Sequence, residues 1–162
     1  MSESEDRFFA AVTARRLVRV SVRSIILDGD RVLLQRPSDA PPGRHYAFIG
    51  GEYEIGDTFE ERLRKEIDEE TNARLIDWRY LFVAENRFIH NGHRVHALEH
   101  YLLATIDRVD VASREELLVQ EWVPLADLAT TDVRPYAVRD VVAAGRHHET
   151  RHLLIDGWSE QH

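Results

Sequence analysis

The sequence predicts an α/β fold in which a mixed β-sheet lies between helices. Three observations predict it: β-branched runs bounded by turn residues, two amphipathic segments with helix start and stop signals, and their order of strands, helix, strands, helix. With 162 residues there is room for one domain of ordinary size. The expected organisation is an N-terminal arm over residues 1–16, a folded domain over 17–145 and a C-terminal tail over 146–162.

Residues 17 to 35 open the domain. Leu17 to Leu27 is rich in Val and Ile, Asp28-Gly29-Asp30 is a hairpin turn, and Arg31 to Gln35 is a second apolar run. Pro37, Pro41, Pro42 and Gly43 interrupt regular structure, and Tyr46 to Ile49 is a short extended stretch leading into Gly50-Gly51. Thr58 and Glu61 stand at capping-box spacing, and Phe59, Leu63 and Ile67 recur at i, i+4 and i+8. That pattern predicts an amphipathic helix from 58 to about 71, with Asn72 as a left-handed C-cap. Arg74 to Phe88 returns to strand, Asn91-Gly92 makes a second hairpin turn, Val95 to Ile106 is a further strand, and 119–123 is one more. Pro135 opens and Gly145 closes a second helix over roughly 135–144.

Composition narrows the function. Hydrophobic residues are 43% and charged residues 31%, as in a globular chain, and no apolar stretch approaches the ~18 residues of a membrane span. The acidic start, Met-Ser-Glu-Ser-Glu-Asp, is unlike a signal or transit peptide, so a cytoplasmic protein is expected. There is no cysteine, which excludes disulfides, thiol catalysis and thiolate metal sites, so any metal must sit on oxygen or imidazole. A net charge of −8 disfavours a DNA or RNA duplex as partner but leaves a small phosphorylated ligand open.

The helix at 58–71 carries the chemistry. At about 100° per residue, Phe59, Leu63 and Ile67 form one arc that should meet the sheet, and Glu70 projects into the same arc. Glu66 and Glu69 flank it, so three carboxylates converge on one side without a compensating base one turn away from each. A solvated acidic face is the plain alternative, but it does not explain Glu70 among apolar neighbours. A divalent cation would supply the missing charge, and oxygen ligands with room for water and phosphate suit Mg²⁺ or Mn²⁺. Crowded carboxylates should hold protons until metal binds, so binding should weaken at low pH.

Gly51, five residues, Asp57, seven residues and then Lys65-Glu66-Ile67-Asp68-Glu69-Glu70-Thr71-Asn72-Ala73 resembles the Nudix box, Gly-x5-Glu-x7-Arg-Glu-U-x-Glu-Glu-x-Gly-U, where U is bulky and aliphatic. The spacing is intact; Asp57, Lys65, Asn72 and Ala73 depart from the pattern. The resemblance covers roughly residues 17 to 145 and implies a Nudix-like α/β/α sandwich. It further implies Mg²⁺- or Mn²⁺-dependent hydrolysis of the pyrophosphate linkage in a nucleoside di- or triphosphate derivative, with Glu66, Glu69 and Glu70 as metal ligands. Asp57 and Lys65 then form a supporting pair that keeps charge but loses the planar fork of arginine. The altered pair also leaves room for a second reading, a catalytically weak nucleotide-binding or regulatory module.

By the same resemblance Arg36 falls where relatives place a phosphate-binding base, although a strand-end surface charge fits equally. A catalytic carboxylate is implied on the loop before Glu121-Trp122, at Glu115 or Glu116, and Glu116 joins the candidate set. An ordinary acidic turn is the alternative there. Glu99 is the other candidate, because its strand face carries Val95, Ala97, Tyr101 and Leu103 and it needs a partner or a role. Arg44, Tyr46, Phe48, Arg87 and Tyr136 are available for substrate selection, with core packing the alternative for Phe48. Ala137 stands where guanine-cleansing relatives carry Asn, which argues against an oxidised guanine nucleotide. His96 and His100 would lie ~13 Å apart along a strand, which argues against a histidine metal site. Phe8, Phe9 and Val12 near one end and Leu153, Leu154, Ile155 and Trp158 near the other suggest a homodimer, with folding back onto the same subunit as the alternative.

Overall fold

The computed structural model describes residues 2–159. Strands β1 (Arg19–Asp28) and β2 (Arg31–Pro37) form the expected hairpin, and β3 (Gly50–Glu52) pairs with β1 where β2 has diverged from it. Helix α2 (Phe59–Glu70) follows, after α1 (Glu3–Ala14) at the N-terminus. Strands β4 (Leu75–His90) and β5 (His93–Ile106) make the long second hairpin. Its turn residues Asn91 and Gly92 have φ of 47° and 81°, the left-handed pair that Asn-Gly supplies at low cost. Strand β6 (Leu118–Pro124), the short helix α3 (Leu125–Leu128), helix α4 (Tyr136–Ala143) and strand β7 (His152–Asp156) complete the chain.

The sheet runs β6-β2-β1-β5-β4-β7, with β3 beside β1. It is mixed because β1 lies parallel to β5 and β4 parallel to β7, while the other pairs are antiparallel. Alternation along the strands divides the core in two. Val22, Ile26, Leu33, Ile49, Leu102 and Ala104 meet Leu63 and Ile67 of α2 on one face. Ile25, Val32, Leu34, Phe82 and Tyr101 meet Val138 and Val142 of α4 on the other. The α/β/α expectation therefore holds, and helix periodicity decides which side of α2 remains near water.

Three differences have physical causes. Asn72 is not a left-handed cap: the helix ends on extended Thr71 (φ −135°), and the Asn72 amide instead bonds Asp110 O at 3.3 Å and Ala112 N at 2.8 Å. Helix α1 forms where an arm was expected, capped by the Ser2 hydroxyl, and Phe9 packs edge-on against Phe88 with ring centres 5.4 Å apart. The expected tail contains β7, with Leu153 and Ile155 packed against the core and Trp158 donating from Nε1 to Phe88 O at 3.1 Å. Phe9, Leu153, Ile155 and Trp158, among the apolar groups that suggested a dimer, thus have partners within the chain, whereas Leu154 stays exposed; the last part of the tail, 160–162, lies outside the described residues.

Candidate active site

Gly50 and Gly51 of β3 and the second and last turns of α2 build the site. A Cβ on Gly50 would lie 2.0 Å from Val22 O, and one on Gly51 would lie 2.1 Å from Glu66 Oε1. The first glycine lets β3 approach β1, and the second lets the Glu66 carboxylate lie flat on the backbone. The helix starts with the expected capping box: Thr58 Oγ1 accepts from Glu61 N at 3.2 Å, and Glu61 Oε2 accepts from Thr58 N at 2.7 Å.

Glu66 is buried, whereas the Glu69 side chain is 61% exposed. Between them lies Arg62, only 3% exposed. Its guanidinium stands 3.0 Å from Glu54, 3.2 Å from Glu66, 3.5 Å from Asp57 and 3.8 Å from Glu69. The expectation of uncompensated acids is corrected here, since Arg62 sits one turn before Glu66 at i, i+4. That spacing was the available signal. Lys65 Nζ reaches Asp57 Oδ1 at 2.6 Å, the pairing expected of those two positions.

A second cation, Arg23 on β1, was not foreseen. It donates to Phe48 O at 3.3 Å and Gly50 O at 3.2 Å, and its charge favours ionisation of Glu66, Glu70 and Glu99 alike. Even so, burial and then the neighbouring Glu66 charge push the Glu70 carboxyl up to about 8, against the partial relief of Arg23 and Gln35. Glu66 is also raised, chiefly by burial, with Arg62 the largest opposing influence. Glu70 Oε2 and Asp57 Oδ2 are buried without a hydrogen-bond partner.

The other candidates separate. Glu115 is near enough for its charge to raise Glu70, while Glu116 is exposed and has no ion pair among the described residues. Glu99 is buried and accepts from Asn86 Nδ2 at 3.0 Å, with Arg19 and Arg23 as nearby cations, which is the partner its apolar strand face required. Arg36 is bound to Glu121 at 2.8 Å and to Ala40 O at 3.0 Å, and Tyr46 is buried with its hydroxyl on the same Glu121. Phe48 is core, edge-on to Tyr101 at 5.6 Å, and Arg87 is held by Asp156 at 2.6 Å. These four therefore have partners within the chain, which the sequence did not show. Arg44 is exposed. Tyr136 is exposed and bonds Asp132 at 2.9 Å. His90 faces His93 in register, while His100 lies 3.0 Å from the Tyr80 hydroxyl.

Residues 17–142 match the NUDIX domain. The chain belongs to the Nudix family. It is similar in fold to a MutT protein of Bacillus halodurans, at 20% identity over 85% of this chain and 87% of the other, with a TM-score of 0.63. A MutT Nudix hydrolase of Burkholderia pseudomallei gives 22% identity, coverage of 76% and 95%, and a TM-score of 0.62. A Nudix hydrolase of Nitrosomonas europaea gives 23%, 86% and 78%, and 0.64. The chain is accordingly a Nudix-type pyrophosphohydrolase, of a family that hydrolyses nucleoside diphosphate-linked compounds and generally uses divalent metal ions.

The carboxylates of Glu66, Glu69 and Glu70 suit such an ion in donor chemistry, since all are hard oxygens and one of them, Glu70 Oε2, is buried without a hydrogen-bond partner. They are not gathered into a closed cage: among the described residues, no three acidic or imidazole side chains converge closely enough to hold an ion as they stand. Arg62 takes the central position instead. Among the described residues, no helix is long and apolar enough to cross a membrane.

Proposed function

We propose that this Nudix enzyme hydrolyses the pyrophosphate linkage of a nucleoside di- or triphosphate derivative by attack of water, with Mg²⁺, or alternatively Mn²⁺, held by Glu66, Glu69 and Glu70. The observation that carries the reading is the unpartnered, buried Glu70 oxygen beside the buried Glu66 carboxylate. When bound, the ion would neutralise the pyrophosphate and make the attacking water more acidic. The chain's own groups do the rest. Gly51 seats Glu66, Asp57 and Lys65 hold the loop to the helix, and exposed Arg44 supplies positive charge for phosphate. Glu115, the loop acid that Glu70 senses, takes the proton from water in preference to Glu116.

The second reading, a catalytically weak nucleotide-binding or regulatory module, is favoured by one observation: Arg62 already neutralises part of the acid cluster. Phosphate release from a panel of nucleotides and nucleotide sugars, with Mg²⁺ and with Mn²⁺ at about pH 7 to 9, separates the two. Turnover of at least one compound is expected; binding without turnover across the panel establishes the module. The same proposal includes a cytoplasmic setting, in keeping with a cysteine-free chain, and a homodimer, for which exposed Leu154 and Tyr80 remain as apolar surface.

A further inference from the structure

We infer that Arg62 is a resident cation of the carboxylate cluster that holds the acids in place without metal and, by sharing their charge, weakens their grip on a divalent ion. The inference rests on the proposed reading that Glu66, Glu69 and Glu70 bind that ion. An arginine is seldom this buried unless its charge is compensated, and Arg62 is 3% exposed with Glu54, Asp57, Glu66 and Glu69 all within 3.8 Å. Two of these acids lie on the loop before α2 and two on the helix itself, so one guanidinium ties the loop to the helix.

The contacts are charge contacts rather than a saturated fork. Arg62 Nε is buried without an aligned hydrogen-bond partner although Glu66 Oε1 is 3.2 Å away. A cation spread over four acids in this way neutralises each of them partly, and no single bidentate pair fixes it. Glu66 and Glu69 therefore meet an incoming ion with part of their charge already taken, and the ion also meets a like charge among its ligands. Glu70 has no contact with Arg62 and keeps its unpartnered oxygen. The cluster is thus divided: Glu66 and Glu69 are shared with arginine, and Glu70 is left to the metal.

Calorimetric titration of Mg²⁺ into the metal-stripped full chain, together with melting curves in chelator, tests this with wild type, Arg62→Met and Arg62→Lys. The expected result is that Arg62→Met binds Mg²⁺ about tenfold more tightly while its metal-free form melts lower, because acids of like charge lose their common cation. Arg62→Lys, which keeps the charge, should lie nearer wild type in both. If Arg62→Met does not fold in chelator, Mg²⁺ at a concentration that leaves the wild-type melting curve unchanged should restore it. A folded Arg62→Met with unchanged or weaker Mg²⁺ affinity overturns the inference, as does an unfolded one that Mg²⁺ fails to restore. If neither wild type nor Arg62→Met binds Mg²⁺ or Mn²⁺, the metal reading itself fails, which is a distinct result.

Discussion

Glu66 and Glu70 lie one helical turn apart, and both are withdrawn from water, so ionising one makes ionising the other harder. The Glu70 carboxyl, pushed up to about 8, stays protonated in the metal-free fold over a range where the unfolded chain would ionise it from 4.5 upward. The folded state binds the extra proton in that window, so this group's contribution to stability is present below pH 4.5 and is lost as pH rises towards 8. Glu70→Gln removes the dependence. In chelator it should be more stable than wild type at alkaline pH by on the order of 2 kcal/mol, less than the full shift converts to because the site relaxes and admits water. Urea melts on either side of the window check this, and equal pH slopes for the two proteins would refute it. With metal present, the same variant and Glu69→Gln should each lose turnover by roughly a hundredfold or more while remaining folded. On the facing loop, Glu115→Gln should lower kcat by at least about a hundredfold and Glu116→Gln should leave it near wild type; the opposite ranking would return the proton acceptor to Glu116.

At the scale of the element, α2 works because its start is fixed twice. The capping box sets where the helix begins, and the Lys65–Asp57 pair at 2.6 Å fastens the second turn to the loop that carries Glu54 and Asp57. Asp57 is nearly buried while Lys65 is half exposed, so only one end of the pair is shielded from solvent. A longer acid and a planar fork at these positions could share Asp57's place with two bonds instead of one. Asp57→Glu with Lys65→Arg should therefore tighten Mg²⁺ binding, and a double-mutant cycle should show a coupling of about 0.5–1 kcal/mol in stability. Strict additivity in that cycle would mean that the two side chains do not act as a pair.

At the scale of the molecule, both chain ends close the sheet surface. Helix α1 lies over the β4–β5 hairpin through Phe9, with Asp6 bonded to Asn91 at 2.7 Å and Glu5 beside His45 at 2.9 Å. Strand β7 covers the outer edge of β4 and contributes Leu153 and Ile155 to the core. Removing residues 147–162 uncovers that edge and those side chains. The loss should be about 2–3 kcal/mol from apolar burial, or roughly 5–10 °C in Tm for a chain of this size. Light scattering should show a dimer for the full chain that is lost on truncation, because exposed Leu154 goes with the tail; a monomeric full chain ends the dimer proposal, and a truncated chain that stays dimeric places the contact elsewhere.

Whatever depends on local spacing is legible in the chain. The period of Phe59, Leu63 and Ile67 gave α2 and its buried side, Thr58 and Glu61 gave its start, and Asn91-Gly92 gave the hairpin, because each is decided within a few residues by backbone geometry. The Glu66, Glu69 and Glu70 set was legible for the same reason: three positions on one helix keep their relation wherever the helix packs. Which charges meet across elements emerges once the strands and helices are assembled. Arg36 and Tyr46 looked free until Glu121 on β6 was brought to both, and Glu99 looked unpartnered until β4 placed Asn86 beside it. Arg23 is held by the Gly50 carbonyl only because β3 pairs with β1 beside it. Long-range pairing, whose partners are separated by tens of residues, leaves no periodic trace in the chain. For that reason the carboxylates, and the spacing of Arg62 and Lys65 beside them, could be read from the sequence, and Arg23 could not.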